Sequence, residues 1–229
     1  MTGKIETVLL AAGEPPTHAV PVGVLRAAKR VIACDGAWRT ALALGRTPDA
    51  VVGDGDSLAA DDREELVRRG IPLVAEAEQE TNDLCKAFRH ALRTGANGDL
   101  AILGATGRRE DHTIGNIFHL IDFAVSCADA PHDRSVVMVT DAGVFEPVLP
   151  PGRSWTDVGA GSPVSVFAPF HGTEMASDGL VWPLKGVTFD ALWRGTLNRT
   201  ITGPFAITTN RPALVYRPHP GEPPDGMHT

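Results

Sequence analysis

The sequence predicts an α/β domain built on a parallel sheet, followed by a smaller all-β domain. Two observations lead there. Up to about residue 143, short apolar runs alternate with amphipathic helical segments, the pattern of strands joined by crossover helices. Beyond it, Pro- and Gly-bounded strand candidates follow one another with no convincing helix between them.

In chain order, residues 8–11 and 31–34 are short apolar runs of the kind a buried parallel strand shows, and residues 13–21 between them read as a loop. DGAWRTALALG (residues 35–45) places Asp35 at a strand's carboxyl end before a short helix closed by Gly45. In open parallel sheets, ligands bind outside those carboxyl ends. A strand over residues 50–52 precedes a polar helix, DDREELVRRG, stopping at Gly70, and a strand over residues 71–74 follows.

The next helix is amphipathic: Leu84, Ala87, Phe88, Ala91 and Leu92 repeat at helical spacing, Thr81 or Asn82 caps its start, and Gly95 ends it. Glu78, Glu80 and Asp83 lie before or within its first turn, where the helix dipole by itself already favours negative charge. A third strand-loop-helix unit spans residues 99–127. There Ile114, Ile117, Phe118 and Ile121 are expected to form the buried face, leaving His112, Asn116 and His119 on a polar one.

SVVMVTDAG closes the alternating part. PVSVFAPF, GLVWPL, DALWRGTLN, PFAITTN and PALVYRP are the later strand candidates. The expected organisation is therefore residues 1–143, residues 144–217, and a loose Pro- and Gly-rich tail over residues 218–229.

The central chemistry lies in PDAVVGDGDSL (residues 48–58). Asp54 and Asp56 are two residues apart, so in extended backbone they project to the same side. Like charges so close raise one another's pKa unless a cation lies between them, and oxygen-only ligands beside glycine suit Mg²⁺ shared with substrate phosphates. A Mg²⁺-nucleotide site is the working expectation. Asp-Gly-Asp is also ordinary turn chemistry. A calcium loop starting at Asp54 would find Glu65 in its twelfth position, but Leu58 and Ala59 stand where a ligand and a glycine are required.

The whole chain narrows the classes further. It has 229 residues, 43% of them hydrophobic and 21% charged, as in a soluble globular protein. A net charge of -7 argues against a nucleic-acid partner or an anionic membrane surface. Cys34, Cys85 and Cys127 form no CxxC pair and their count is odd, so reduced thiols and a cytoplasmic location are expected. The short apolar run near the N-terminus is broken by Gly13 and Pro15, unlike a signal peptide or membrane span. No GxxxxGK[ST], GxGxxG after a strand, HExxH or zinc-spaced cluster is present. Carboxylates do stand at three successive strand ends (Asp35; Asp54 and Asp56; Glu80 and Asp83), with a basic glycine loop, GATGRREDH, at the fourth.

Together, DGA at residues 35–37, PDxxxGDxDS at 48–57, the acidic-Gln-acidic-x-x-Asp pattern ending at Asp83 and GRREDHxxxN at 107–116 resemble the thiamin pyrophosphokinase family, in order and spacing. The resemblance implies a Rossmann-like α/β ATP-binding domain plus a β-sandwich domain, forming a homodimer with thiamin at the subunit interface. It implies transfer of a diphosphate from ATP to thiamin, giving thiamin diphosphate and AMP. By position, Asp35, Asp54, Asp56, Glu80 and Asp83 would hold Mg²⁺ and the polyphosphate. Arg109, with His112 and Asn116, would meet ATP, Asp111 the substrate, and Trp182 and Asn198 thiamin. Asp83 and Asp111 are both candidates for taking the hydroxyl proton.

This chain departs from the family at Glu80, where Asp is usual, at Asn82 for Thr, and at Gly55 for a bulky residue. It also has Thr196 and Leu197 in a serine-rich run, and lacks the usual Asn-Gly in its N-terminal loop. Those differences keep three alternatives open: another alcohol acceptor such as a pterin, a non-catalytic nucleotide- or thiamin-binding regulator, and a nucleotide-sugar transferase, which GRREDH and the β domain do not fit.

Overall fold

A computed structural model of the chain describes residues 5–55, 58–76, 78, 80–95, 98–129 and 134–220. Two compact units divide it, one over Thr2–Asp141 and one over Ala142–Thr229.

The first unit holds β1 (Ile5–Leu10), α1 (Ala19–Ala27), β2 (Arg30–Cys34), α2 (Trp38–Ala43), β3 (Ala50–Gly53), α3 (Ala60–Arg68), β4 (Leu73–Ala75), α4 (Asp83–Arg93), β5 (Asp99–Leu103), α5 (Glu110–Ala128) and β6 (Val136–Val139). Its strands lie in the order β6-β5-β1-β2-β3-β4, every pair parallel. Val8, Leu9 and Leu10 of β1, Val31 and Ile32 of β2 and Leu100 to Leu103 of β5 are fully buried. A parallel strand covered by helices on both faces needs such an uninterrupted apolar run. From central β1 the chain adds β2, β3 and β4 on one side, then crosses back to add β5 and β6 on the other. The order reverses between β1 and β5, the place where an open sheet leaves a crevice for ligands.

Several expectations are corrected here. The supposed loop over residues 13–21 ends early: α1 begins at Ala19, capped by the His18 imidazole, which accepts from the Val20 N–H. Pro21 sits in its first turn, where its missing N–H breaks no hydrogen bond. On α5, Ile114 is 57% exposed and Asn116 is buried, each the reverse of expectation, while Ile121 is buried and His112 exposed as expected; Leu120, Phe123, Ala124 and Cys127 complete the buried side. Apolarity alone misassigned Ile114 and Asn116, because the groups that Asn116 meets, Asn82 and the Ala105 carbonyl, are polar. β4 starts two residues later than the apolar run suggested.

The second unit holds β7 (Gly143–Val148), β8 (Gly152–Trp155), β9 (Pro163–Phe167), β10 (Met175–Asp178), β11 (Gly195–Arg199), β12 (Phe205–Thr209) and β13 (Ala213–Pro218). Strands β11-β9-β13-β7 form one antiparallel sheet and β10-β12-β8 another. One core draws on both sheets: Val148, Val164, Val166 and Val215 from the first, Trp155, Met175, Phe205 and Ile207 from the second. That is a β-sandwich, with Trp155 and Phe205 stacked 4.5 Å apart inside it. Of the expected strands, GLVWPL is not one; only Leu180 bridges, to Thr200. DALWRGTLN divides into a 3-10 turn over Leu192–Arg194 and β11. Arg217 and Pro218, at the expected start of the tail, end β13, and the His219 N–H donates to the Ala142 carbonyl. Residues 221–229 lie outside the described residues.

Candidate active site

At the β1–β5 switch lies a cavity of about 410 Å³ whose lining comes from the carboxyl ends of four strands and the first turns of α4 and α5. After β1 come Ala11, Ala12 and Gly13. Close packing builds this corner: a Cβ on Gly13 would stand 2.4 Å from the Gly104 carbonyl oxygen and 2.6 Å from that of Thr106. The Gly13 N–H instead donates to Gly104 at 2.7 Å and the Glu14 N–H to Thr106 at 2.8 Å.

After β2, Asp35 is almost wholly buried, 1% exposed. Its Oδ2 accepts from the Gly55 N–H at 2.6 Å, while Oδ1 has no hydrogen-bond partner among the described residues. Burial raises its pKa above the usual carboxylate range, the Gly55 bond opposes this, and the charges of Asp83 and Asp54 add to the rise. Gly53 makes the approach sterically feasible, since a Cβ there would lie 2.3 Å from the Asp35 carboxylate.

Asp54, after β3, lines the cavity, and Asp56 and Ser57 lie outside the described residues. Across from this loop the α4 N-terminus brings Asp83 and, one turn later, Lys86. The Lys86 ammonium is 3.2 Å from Asp83 Oδ1 and 3.4 Å from Asp54 Oδ2, with 2% of its side chain exposed. Burial alone would lower its pKa, but Asp83 and then Asp54 outweigh that and raise it, so Lys86 is a buried cation. Sequence reading missed Lys86. The signal was available in its spacing, because i and i+3 share a helix face and Asp83 was already singled out.

Asn82 caps α4, its Oδ1 accepting from the Cys85 N–H at 3.0 Å, and its Nδ2 donates to Asn116 Oδ1 at 2.9 Å. Asn116 in turn donates to the Ala105 carbonyl at 2.9 Å. This chain of amides ties the α4 terminus, α5 and the β5 loop together, which is why a polar residue is buried on α5. Glu78 accepts from the Thr81 N–H and hydroxyl and from Arg89, bracing the turn before α4. Glu80 is exposed.

The β5 loop contributes Ala105, Thr106, Arg108 and Arg109, and α5 adds His112, Thr113 and Asn116. Arg109 is 70% exposed and forms a two-pronged pair with Asp111, Nε to Oδ1 at 3.1 Å and a second nitrogen to Oδ2 at 2.5 Å. That bond holds the Asp111 carboxyl down at about 2. In the sandwich, Asn198 is buried and its amide clamps the Trp182 backbone, accepting from its N–H at 3.2 Å and donating to its carbonyl at 2.7 Å. The Trp182 ring is half exposed, with the Arg199 guanidinium 5.3 Å from its centre.

The family models separate along the same line. Residues 23–130 match the thiamin pyrophosphokinase catalytic domain, and residues 143–216 match the thiamin pyrophosphokinase substrate-binding domain. The chain belongs to the thiamin pyrophosphokinase family. It is an enzyme of that family's reaction, which moves a diphosphate from ATP to thiamin and leaves AMP. No curated protein sequence matches the chain significantly.

Solved structures agree in fold at low identity. The thiamine pyrophosphokinase of Bacillus subtilis is 20% identical, with a TM-score of 0.75 over 94% of this chain and all of its own, 100%. The Candida albicans thiamin pyrophosphokinase is 15% identical, with a TM-score of 0.76 over 93% of this chain and 89% of its own. The yeast enzyme is 14% identical, with a TM-score of 0.75 over 94% of this chain and 86% of its own. Family membership gives the reading of thiamin as acceptor its weight over a pterin, a regulator or a sugar transferase.

Proposed function

We propose that the β1–β5 cavity binds the ATP triphosphate together with Mg²⁺, and that Asp35 and Asp54 are the carboxylates through which the cation is held. The observation that carries this reading is the meeting of Asp54 and Asp83 in one cavity with Thr106, Arg108 and Arg109; Asp35 does not itself line that cavity, but its buried carboxyl feels the charges of Asp83 and Asp54. The buried Oδ1 of Asp35, unpartnered among the described residues, and the oxygen-only donors fit a hard divalent cation. Among the described residues no three Asp, Glu, His or Cys form a complete cage. A Mg²⁺ shared with phosphates needs only one or two protein carboxylates. Asp56 and Glu80 belong to the same proposal, the first outside the described residues and the second exposed.

When bound, Mg²⁺ supplies neutralisation of the charge that spreads over the transferring diphosphate. The chain's own residues do the rest. Arg109, with Arg108 beside it, offers guanidinium donors to phosphate oxygens. His112 and Asn116 line the nucleotide side. Asp83 takes the hydroxyl proton, because it lines the cavity and Asp111 does not. Thiamin is held by the sandwich through the exposed face of Trp182, and Asn198, whose amide bonds the Trp182 N–H and carbonyl and also accepts from the Arg199 N–H, sets that ring's position.

The functional form is a homodimer, a reading supported by exposed Trp182, Trp193, Leu197 and Ile201 on the sandwich. The location is the cytoplasm, supported by three free, buried cysteines; no described helix is long and apolar enough to cross a membrane. The test is direct. Purified protein with ATP, Mg²⁺ and thiamin should release AMP and thiamin diphosphate in equal amounts, and Asp54→Asn should lower turnover at least about 100-fold. Turnover that persists in EDTA would remove the metal from this reading. Sedimentation at micromolar concentration should give twice the chain mass, 24.2 kDa.

A further inference from the structure

Lys86 stands in an unfavourable place for a lysine. It is the fourth residue of α4, near the positive end of the helix dipole, and its side chain is 2% exposed. Its helix neighbours Ala87, Phe88 and Ala91 are buried apolar residues, so packing alone would be served by another of that kind. A buried ammonium persists only where carboxylates replace its lost water, and here Asp83 and Asp54 lie at 3.2 and 3.4 Å.

We propose that Lys86 is a resident counter-ion of the acidic wall, competing with a divalent cation for Asp54 and so making metal binding conditional on the nucleotide. This rests on the Mg²⁺-ATP reading of the cavity. With the ammonium in place, much of the charge that would draw a bare cation to Asp54 is already balanced, and a dication arriving beside it meets repulsion. A triphosphate alters the sum: its oxygens bring negative charge for the metal and a second partner for Lys86, which lines the same cavity. Lys86 is thus a positioning and ordering residue, disfavouring metal without nucleotide and favouring the two together.

The test is calorimetric titration of the full chain with Mg²⁺ alone and with Mg²⁺ in the presence of ATP, without thiamin, using wild type, Lys86→Met, Lys86→Gln and Lys86→Arg. Both neutral variants should bind Mg²⁺ alone about tenfold more tightly than wild type. The gain in metal affinity that ATP produces should shrink in both, and Lys86→Arg should behave as wild type. Adding Asp54→Asn to Lys86→Met should erase the difference, which a merely structural role would not do.

Neutral variants that fold and bind Mg²⁺ alone no more tightly than wild type overturn the proposal. So do neutral variants that stay unfolded even with Mg²⁺ present, since Lys86 is then only a structural residue. Wild type that binds Mg²⁺-ATP beside such unaltered variants leaves the metal reading intact. Absence of Mg²⁺ binding in wild type with ATP removes both.

Discussion

Asp35 bears a charge in the worst surroundings of the acidic group: buried, beside two other carboxylates, with one oxygen unpartnered among the described residues. Its pKa is raised in the folded chain. A carboxylate with a raised folded value favours folding while protonated, and that contribution is lost as pH rises through the folded value. At neutral pH without metal, the ionised group therefore works against the fold. Asp35→Asn should raise the melting temperature of the metal-free protein by about 2–4 °C at pH 7, the shift of roughly 1 kcal/mol in a chain of this size, while abolishing turnover. A lower melting temperature in calorimetric scans would show that Asp35 supports the fold. Gly53→Ala acts on the same contact from the other side. A Cβ 2.3 Å from the carboxylate must push Asp35 aside, so activity should fall at least about tenfold, measured as AMP release.

The α4 N-terminus is the element on which the site depends. Asn82 ends the preceding turn, caps the helix and reaches Asn116, so one side chain sets the direction in which Asp83 and Lys86 project. Asn82→Ala removes a cap worth about 1 kcal/mol and leaves a buried amide on Asn116 short of a partner, worth about 1–3 kcal/mol. Urea unfolding should register a loss of about 2 kcal/mol. Asn82→Thr keeps the cap but not the reach, so it should recover only the capping part. Equal stability of the Thr variant and wild type would show that the amide chain contributes nothing.

On the scale of the whole catalytic unit, Asp141 accepts from the Thr17 N–H at 3.1 and 2.9 Å and from its hydroxyl at 2.5 Å, joining segments 124 residues apart. These bonds outweigh partial burial and lower the Asp141 pKa. A lowered carboxylate gives stability that is full above the unfolded value, about 3.9, and is lost as pH falls through the folded one. Thr17→Val should therefore be less stable than wild type at pH 7, with the difference vanishing at the acid end. A gap in melting temperature that is constant from pH 7 to pH 3 would exclude this source.

Much of this architecture can be read from residue order alone, for a simple reason. Buried parallel strands such as residues 31–34 need unbroken apolar runs, helices such as α4 need a 3.6-residue apolar period, and both are local properties. The carboxylates at strand ends are legible too, because Asp35 and Asp54 directly follow those runs. Chain contacts far apart in sequence decided the remainder. Asn116 looked like part of a solvated stripe until its partners, Asn82 and the Ala105 carbonyl, were brought beside it. Lys86 drew no reading from the sequence, because its partner Asp54 is delivered by β3, 32 residues earlier in the chain. GLVWPL has strand composition, yet only Leu180 finds a bridging partner. Whether a polar group is solvated, buried or paired depends on what the fold places against it, and that is a property of the tertiary structure, not of the residue or its neighbours in the chain.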